Sequence, residues 1–421
     1  MKNKLRLMLP LYLGTLLEWY DFSIFAFLAP VLSNLFFPAE NQAISVMMTY
    51  AIFAIGFIVR PLGGVFFGKY ADDEGRKKSL LLSMMIMTFA TISIGLLPTY
   101  ESVGISASIA MIILRLIQGF SVGGESSGSS TYVIEMYPKK YRGLLSAIMW
   151  SAVGMGMLLG AALSTLIFQL FSMDELMRGY WRIPFLISIL TGIIGYYFRR
   201  KIPETYLFQA HQCNPERVKK KALIVVKENK RPIVTIILLY GLSAIITYVL
   251  FVYMPVYMSQ HNNIPLKTAS SITTVALSIV TLLIPFSGYI SDLLGRKFCL
   301  YVGAIGWMIL SIPLYRYMNA EKTILSYILS EGIFVILAII YQGALTAAVQ
   351  EMIQTKHRFT ITSVGYNVSY GLIGGTAPLM IAWLSEISAL HIMPGIYLAF
   401  FACLAISGVY RMEETYNAQL Q

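Results

Sequence analysis

Charged side chains are scarce in this chain. Asp, Glu, Lys and Arg make up 13% of its 421 residues, whereas apolar residues make up 57%. A soluble domain usually has about 25% charged residues. The composition therefore places the chain among membrane proteins. The net charge of +11 does not by itself indicate a nucleic-acid partner, because the positions of the basic residues have a simpler explanation, given below.

Cysteine and histidine are also rare, with three and four residues. The cysteines lie far apart and show no metal-binding or redox spacing. The histidines fall in loops or at the ends of apolar runs. No phosphate-binding loop or nucleophile–base arrangement is present either. We therefore predict a protein that is not an enzyme and that needs no cofactor or metal. The residues concerned are Cys213, Cys299, Cys403, His211, His261, His357 and His391.

Long apolar runs dominate the chain, and twelve of them are near the ~20 residues that cross the hydrocarbon core of a bilayer. The predicted spans, numbered one to twelve, are 9–36, 44–68, 79–98, 106–134, 144–171, 182–199, 232–258, 267–290, 298–316, 324–349, 361–385 and 392–410. A polar stretch of about 200–231 divides them into two sets of six. We predict an N-terminal bundle at 1–199, a linker at 200–231 and a C-terminal bundle at 232–421.

The basic residues indicate which side of the membrane each loop faces. If the N-terminus is inside, the inside segments hold 25 of the 32 Lys and Arg residues, the outside segments hold 5, and two lie within spans. An excess of this size follows the positive-inside rule. We predict that both termini and the linker are cytoplasmic. The rule, together with attraction to anionic lipid, explains the basic linker better than nucleic acid does.

A charged segment between spans two and three recurs between spans eight and nine. Residues 68–78 and 288–297 have Gly, Asp, Gly, Arg and Lys at the same offsets, 220 positions apart. A second repeat, with an offset of 210, follows spans six and twelve: both 204–206 and 414–416 read Glu-Thr-Tyr. Internal repeats of this length indicate two copies of one unit. The sequence thus predicts an all-α membrane protein of two pseudo-symmetric six-helix bundles, a layout typical of transporters.

Several stretches resemble a known family. The charged segment at 68–78 is similar to the loop-two signature of the major facilitator superfamily. Residues 17–22, 60–64, 115–119, 123–125, 366–367 and 374–378 resemble the metabolite–proton symporters within it, which carry proline and betaine, shikimate, citrate or α-ketoglutarate. The resemblance covers nearly the whole chain. It implies the major facilitator fold and a monomer that moves a small solute by alternating access.

The two charged segments are expected to control that movement. Glycine permits tight turns and close backbone approach, and an acid such as Asp72 suits the positive end of a neighbouring helix. The resemblance implies a latch that holds the outward-facing state, with a weaker counterpart in the second half. The expected latch residues are Gly68, Asp72, Gly75, Arg76, Lys77, Asp292 and Arg296.

Ionisable residues within spans are costly in hydrocarbon and so mark function. Glu18 and Asp21 are three apart and share a helix face. Two close carboxylates repel, which favours protonation of one. Arg115 lies beside Gln118, and Glu331 is its counterpart in the second half. The proton-coupling or substrate-binding candidates are Glu18, Asp21, Arg115, Gln118, Glu125, Glu331 and Asn367. Glu125 equally suits a pair with Arg60, which is interpreted as supporting the charged segment.

These observations predict proton-coupled symport of a small zwitterion or carboxylate across the cytoplasmic membrane. A carboxylate of the Glu18/Asp21 pair would take the proton, and Arg115 would hold the solute. An exporter or proton antiporter of the same fold is the main alternative, since coupling direction leaves no local signature. A membrane-embedded sensor is a further one. The predicted partners are the solute, protons and the lipid bilayer.

Overall fold

The computed structural model describes most of the chain, in which every regular element is helical. The described residues are 2–38, 48–49, 51–52, 55–136, 139–201, 204, 222–262, 264–353, 358–388 and 390–416.

Within those residues, ten helices are long and apolar enough to cross a membrane, and they fall on predicted spans three to twelve. Their bounds are Lys77–Leu96, Ile105–Val122, Arg142–Leu170, Tyr180–Arg200, Lys230–Ser259, Lys267–Leu294, Arg296–Glu321, Ile324–Glu351, Arg358–Ser388 and Met393–Arg411. Predicted span one coincides with helices Lys2–Phe27 and Ala29–Phe36. The second half of span two is helix Arg60–Glu74, and part of its first half lies outside the described residues.

Some predicted spans are divided. Span four is two helices, Ile105–Val122 and Glu125–Met136, because two glycines separate them. A Cβ at Gly123 would overlap the backbone of span two, and one at Gly124 would overlap the Phe67 side chain. The break therefore brings spans two and four into backbone contact, which only glycine permits.

Spans seven and eleven each contain a π-helical segment. These segments are Val249–Tyr253 and Val368–Gly374. They lie near each other, since a Cβ on Gly374 would contact the ring of Tyr248, the residue that precedes the first segment. The π turn is uncommon and is often found at functional sites, and this pair lies beside the site described below.

The two charged segments have the same backbone. Helix Arg60–Glu74 ends at Gly75, and the next helix begins at Arg76; Gly295 separates spans eight and nine in the same way. The φ angles are 107° at Gly75 and 98° at Gly295. Residues other than glycine rarely adopt φ angles in this range, so the repeated glycines form equivalent one-residue hinges. We call the side of the molecule that carries both hinges the hinge side.

The two halves contact each other along several helix pairs. Span five of the first half packs along span eight of the second, and span two packs on span eleven. On the hinge side the backbones nearly touch: a Cβ on Gly288 would lie 2.5 Å from the Gly143 carbonyl oxygen. Near the middle of spans two and eleven, the Phe57 side chain packs on Gly375. The halves are therefore closed against each other on the hinge side.

Candidate functional site

Arg115 lies fully buried between the helices of the first half. Its Nη1 donates to the Gln118 Oε1 at 2.9 Å, and Gln118 in turn donates to the Thr91 hydroxyl at 2.7 Å. The guanidinium also lies over the rings of Phe22 and Phe25, 4.8 and 4.3 Å from their centroids. The structure thus brings the predicted pair Arg115 and Gln118 together and fixes the guanidinium against aromatic faces.

Arg60 is a second buried guanidinium, close enough to Arg115 for the two charges to interact. It is 0% exposed and lies among the rings of Trp19, Phe22, Phe57 and Tyr366, with centroids 5.2–5.8 Å away. The Tyr248 hydroxyl is another neighbour. Within the described residues, none of its three nitrogens makes a hydrogen bond of ordinary geometry.

Rings from both halves lie around Arg60. We call Trp150, Tyr240, Tyr366 and Tyr370 the aromatic cluster. Tyr366 stacks on Tyr370 with centroids 4.6 Å apart, and Tyr240 and Trp150 approach Tyr366 edge-on at 5.3 and 6.4 Å. Trp150 belongs to span five of the first half and the tyrosines to spans seven and eleven of the second. The cluster therefore crosses the interface between the halves.

A narrow cavity lies beside the aromatic cluster. Its volume is about 10 Å³, roughly the space of a single water. Trp150, Tyr240 and Tyr366 line it, together with the neutral polar side chains Thr15, Ser129, Ser130, Gln350 and Thr362. In this conformation the centre of the molecule is nearly filled.

Glu18 and Asp21 both face span six, as expected for residues that share a helix face. Glu18 pairs with Arg199 at 3.6 Å, and both side chains are 1% exposed. Asp21 Oδ1 accepts hydrogen bonds from the hydroxyls of Ser188 at 2.6 Å and Thr191 at 3.3 Å. Within the described residues, Asp21 has no cationic partner. The two carboxylates therefore have different surroundings, which their spacing alone did not indicate.

Glu331 lies inside the second half, away from the two arginines. It is 1% exposed, with Thr273 and Tyr315 as polar neighbours. In the part of the chain that the structure describes, neither carboxylate oxygen makes a hydrogen bond of ordinary geometry. The structure does not place Glu331 opposite Arg115 across a shared site.

Asp292 connects the two halves on the hinge side. Its carboxylate accepts hydrogen bonds from the backbone N–H groups of Gly143 and Leu144, at 2.9 and 2.8 Å. These residues form the first turn of span five, where the helix end is positive. Arg296 binds Asp292 at 2.7 Å and Glu351 at 3.2 Å. An acid at the positive end of a neighbouring helix was the arrangement expected for Asp72. Asp292 makes such a contact, with a helix of the opposite half.

The remaining predicted residues fall into two groups. Some lie near the interface, and the side chains of others lie outside the described part of the structure. The Asn367 amide donates to the Gly123 carbonyl of the first half at 2.9 Å. Gly68 approaches Phe359 of span eleven closely. The helices containing Asp72, Arg76 and Glu125 are described, but these three side chains lie outside the described part of the structure.

Two glutamates that were not among the predicted site residues complete the hinges. Glu204 accepts from the backbone N–H of Lys77, and Glu414 accepts from those of Arg296 and Lys297. Each caps the helix that follows a hinge. The repeated Glu-Thr-Tyr sequence was the signal for this role. Arg199, Glu351, Trp150 and Tyr370 were likewise not predicted as site residues, because no repeat or spacing distinguishes them.

The comparison with known families agrees with the fold. A model of the Major Facilitator Superfamily matches residues 11–378. The chain belongs to this superfamily. It is a multi-pass membrane transport protein and not an enzyme, as predicted from its sequence.

Relatives within the superfamily share about a third of their residues with this transporter. It is 34% identical to the ectoine/proline transporter ProP of Corynebacterium glutamicum, over 96% of this chain and 83% of that protein. It is 33% identical to the proline/betaine transporter of Escherichia coli K12, over 97% and 83%.

Solved structures share the fold at lower identity. The proton:xylose symporter XylE of E. coli, with 6-bromo-6-deoxy-D-glucose bound, superposes with a TM-score of 0.82 at 17% identity and covers 99% of this chain and 97% of that one. The likeness over both halves supports the twelve-helix major facilitator architecture as the fold.

Proposed function

We propose that this transporter imports a small zwitterion of the proline, betaine or ectoine kind together with protons, by alternating access. The observation that carries the proposal is the contact of the buried Arg60 guanidinium, which lies close to that of Arg115, with an aromatic cluster that crosses the interface. A carboxylate suits the arginines, and aromatic faces attract an ammonium group. An organic acid without an ammonium group would leave the rings unused. The names of the relatives support the same substrate class.

Asp21 is the carboxylate to which we assign the coupling proton. Glu18 already has a cationic partner, Arg199, which stabilises its charged form. Asp21 has two hydroxyl donors, and the described residues place no cation against it. A buried carboxylate without a counter-charge changes protonation state more readily than one in an ion pair. Glu331, buried in the second half beside Thr273, is the other candidate.

We place the hinge side in the cytoplasm, following the positive-inside distribution. The contacts of Asp292 with span five then close the transporter on the cytoplasmic side. The pseudo-symmetric residues Asp72 and Arg76, with Gly75 and Lys77, are proposed to do the same against span eleven. These contacts exist only when the halves are together, so they favour the outward-facing or closed state. A single chain contains both halves and is the proposed working unit.

The test is uptake into proteoliposomes that contain the purified transporter, with an imposed inward proton gradient. Labelled proline, glycine betaine and ectoine are compared with citrate, α-ketoglutarate and shikimate. We expect accumulation of at least one zwitterion, abolished by a protonophore. Accumulation of an acid alone would refute the zwitterion assignment, and accumulation only with an outward-directed gradient would indicate export.

The same assay tests the proton site. Asp21→Asn should abolish proton-driven accumulation while leaving exchange of labelled for unlabelled solute, because exchange does not require a change of protonation. Glu18→Gln is the matched variant on the same helix face. Intact proton-driven uptake in Asp21→Asn would disprove the assignment and would leave Glu331 as the residue to examine.

A further inference from the structure

A second cavity between the two halves lies on the side of the molecule opposite the hinges. Its volume is about 30 Å³, enough for about two waters. Most of its wall comes from the end of span five in the first half and the beginning of span eight in the second. The hinge side is at the opposite end of both spans. Under the proposed orientation, the cavity therefore lies in the outer part of the interface.

Two buried hydroxyl groups line this cavity, one from each half. Ser164 belongs to span five and is 2% exposed, and Thr273 belongs to span eight and is 4% exposed. Within the described residues, neither hydroxyl makes a hydrogen bond of ordinary geometry. A buried polar group without a partner is costly, and a polar cavity of this size can hold the water that satisfies it. The cavity is therefore suited to hold water between the two halves.

Thr273 joins this cavity to the carboxylate of Glu331. The two side chains are neighbours, and Glu331 itself is 1% exposed. The other titratable group beside Glu331 is Tyr315 of span nine, which has further tyrosines around it, namely Tyr253, Tyr257 and Tyr327. None of these groups is a cation. An ionised Glu331 would therefore be an unpaired charge in the membrane interior, which is costly.

Opening of the outer side changes the surroundings of Glu331. Spans five and eight pack along each other, and the cavity lies between their outer parts. Separating the halves there admits water to Thr273 and so toward the carboxylate. Because water stabilises the ionised form, the outer-open state releases a proton from Glu331 and the closed state takes one up. By linkage, a higher pH then favours opening of the outer side and a lower pH favours its closure.

We infer that Glu331 is a proton-binding group that controls the outer side: it takes up a proton from outside through the water cavity and the Thr273 hydroxyl, and the outer side closes once it is protonated. This role differs from that of Asp21, which lies against span six within the first half and is assigned the transported proton. The inference rests on the proposed function, since it assumes alternating access with protons.

The test measures opening of the outer side without any solute. Met173 and Lys267 are exposed near the outer ends of spans five and eight, one in each half. Met173→Cys and Lys267→Cys are combined in a background in which Cys213, Cys299 and Cys403 are serine, and both thiols are spin-labelled. Double electron–electron resonance in nanodiscs then gives the distance between the labels. We expect the population at the longer distance to rise by about threefold or more from pH 6 to pH 9. A distribution that does not change with pH would overturn the inference.

Variants of the two buried carboxylates locate the pH dependence. Glu331→Gln keeps the size of the side chain and removes its titration, so the short distance should predominate at every pH. Asp21→Asn makes the matched change in the first half and should retain the rise with pH. If Glu331 had only a structural role, Glu331→Gln would shift the population but keep its pH dependence, and that result would overturn the inference.

The route through Thr273 has its own test. Stopped-flow fluorescence of a dye on Met173→Cys follows closure after a rapid drop in pH. Thr273→Val removes the hydroxyl between the cavity and Glu331, and we expect closure to slow by about fivefold. Thr274→Val is the matched control, because Thr274 also lines the cavity but donates to the Ser270 carbonyl of its own helix at 2.7 Å. Equal closure rates in the two valine variants would overturn the route.

The uptake assay distinguishes a failure of this inference from a failure of the proposed function. Proton-driven uptake of a zwitterion together with a flat pH response of the labels would leave the proposed function in place and overturn the role of Glu331. A pH-dependent opening that is lost in Glu331→Gln would support that role even if no zwitterion in the panel were accumulated, which would instead refute the proposed function.

Discussion

Replacing Asp292 with Asn should shift the transporter toward the state that is open on the hinge side. The carboxylate accepts two backbone N–H groups across the interface, from Gly143 and Leu144. Asparagine has a similar size, but it has one acceptor oxygen and no charge. One interfacial hydrogen bond is therefore lost and the other becomes a neutral one, while the contact with the positive end of span five also weakens.

The magnitude follows from the contacts that differ between the two states. Hydrogen bonds to a charged group contribute about 1.5–3 kcal/mol, and neutral ones about 1 kcal/mol. The pairs of Arg296 with Asp292 and Glu351 lie within the second half, so they contribute little to the difference between states. The net shift is about 3 kcal/mol, which corresponds to on the order of a 100-fold change in the equilibrium constant.

Thiol accessibility measures this equilibrium directly. Thr131 lies at the interface, 3.3 Å from Gln350 of the other half, and is 3% exposed. In a background in which Cys213, Cys299 and Cys403 are serine, Thr131→Cys should react slowly with N-ethylmaleimide added on the hinge side. Adding Asp292→Asn should raise the rate substantially, up to the limit set by full opening.

A matched control separates the latch from a general effect of charge. Asp174 is exposed at the start of the short helix Met173–Arg178, on the side away from the hinges. Asp174→Asn removes the same charge and should leave the labelling rate unchanged. Equal rates with and without Asp292→Asn would refute the view that this contact stabilises the closed state.

Three further predictions concern other contacts of the site and hinges. Arg60→Lys keeps the charge but removes the planar group that faces four rings, and we expect at least a tenfold rise in the half-saturating solute concentration in the uptake assay. Glu414→Gln should lower the unfolding temperature in a thermal denaturation measurement, since it weakens the cap on span nine, whereas the neighbouring exposed Glu413→Gln should not; equal shifts would contradict the capping role. Asn367→Ala removes the interfacial hydrogen bond to Gly123 and should increase hinge-side thiol labelling by a smaller factor than Asp292→Asn, because that bond is neutral.

The fold could be predicted largely from the sequence because it depends on regional properties. Hydropathy located spans three to twelve, and the repeated segments predicted hinges that the structure places at Gly75 and Gly295 with nearly equal φ angles. The repeated charged segments also led us to expect an acidic side chain at the positive end of a neighbouring helix. The structure shows this contact at Asp292.

The site was less predictable because it depends on which helices pack against each helix face. A spacing of three indicated that Glu18 and Asp21 point the same way, yet it did not indicate that the neighbour is span six with Arg199. Tyr366 and Trp150 are two of the 55 aromatic residues in the chain. They come into contact only because span five packs against the second half. Arg60 was interpreted as a support for the hinge from its sequence position, whereas its surroundings are rings of both halves.

The caps supplied by Glu204 and Glu414 have a consequence for how the protein is made. In each half, the third helix has its first turn stabilised by a glutamate that is synthesised only after the sixth helix. A half that is still emerging from the ribosome therefore lacks this contact. The contact can form only once the last helix of that half has been synthesised. In the first half this contact can form before the second half is made, which suits a membrane protein whose two halves enter the bilayer one after the other.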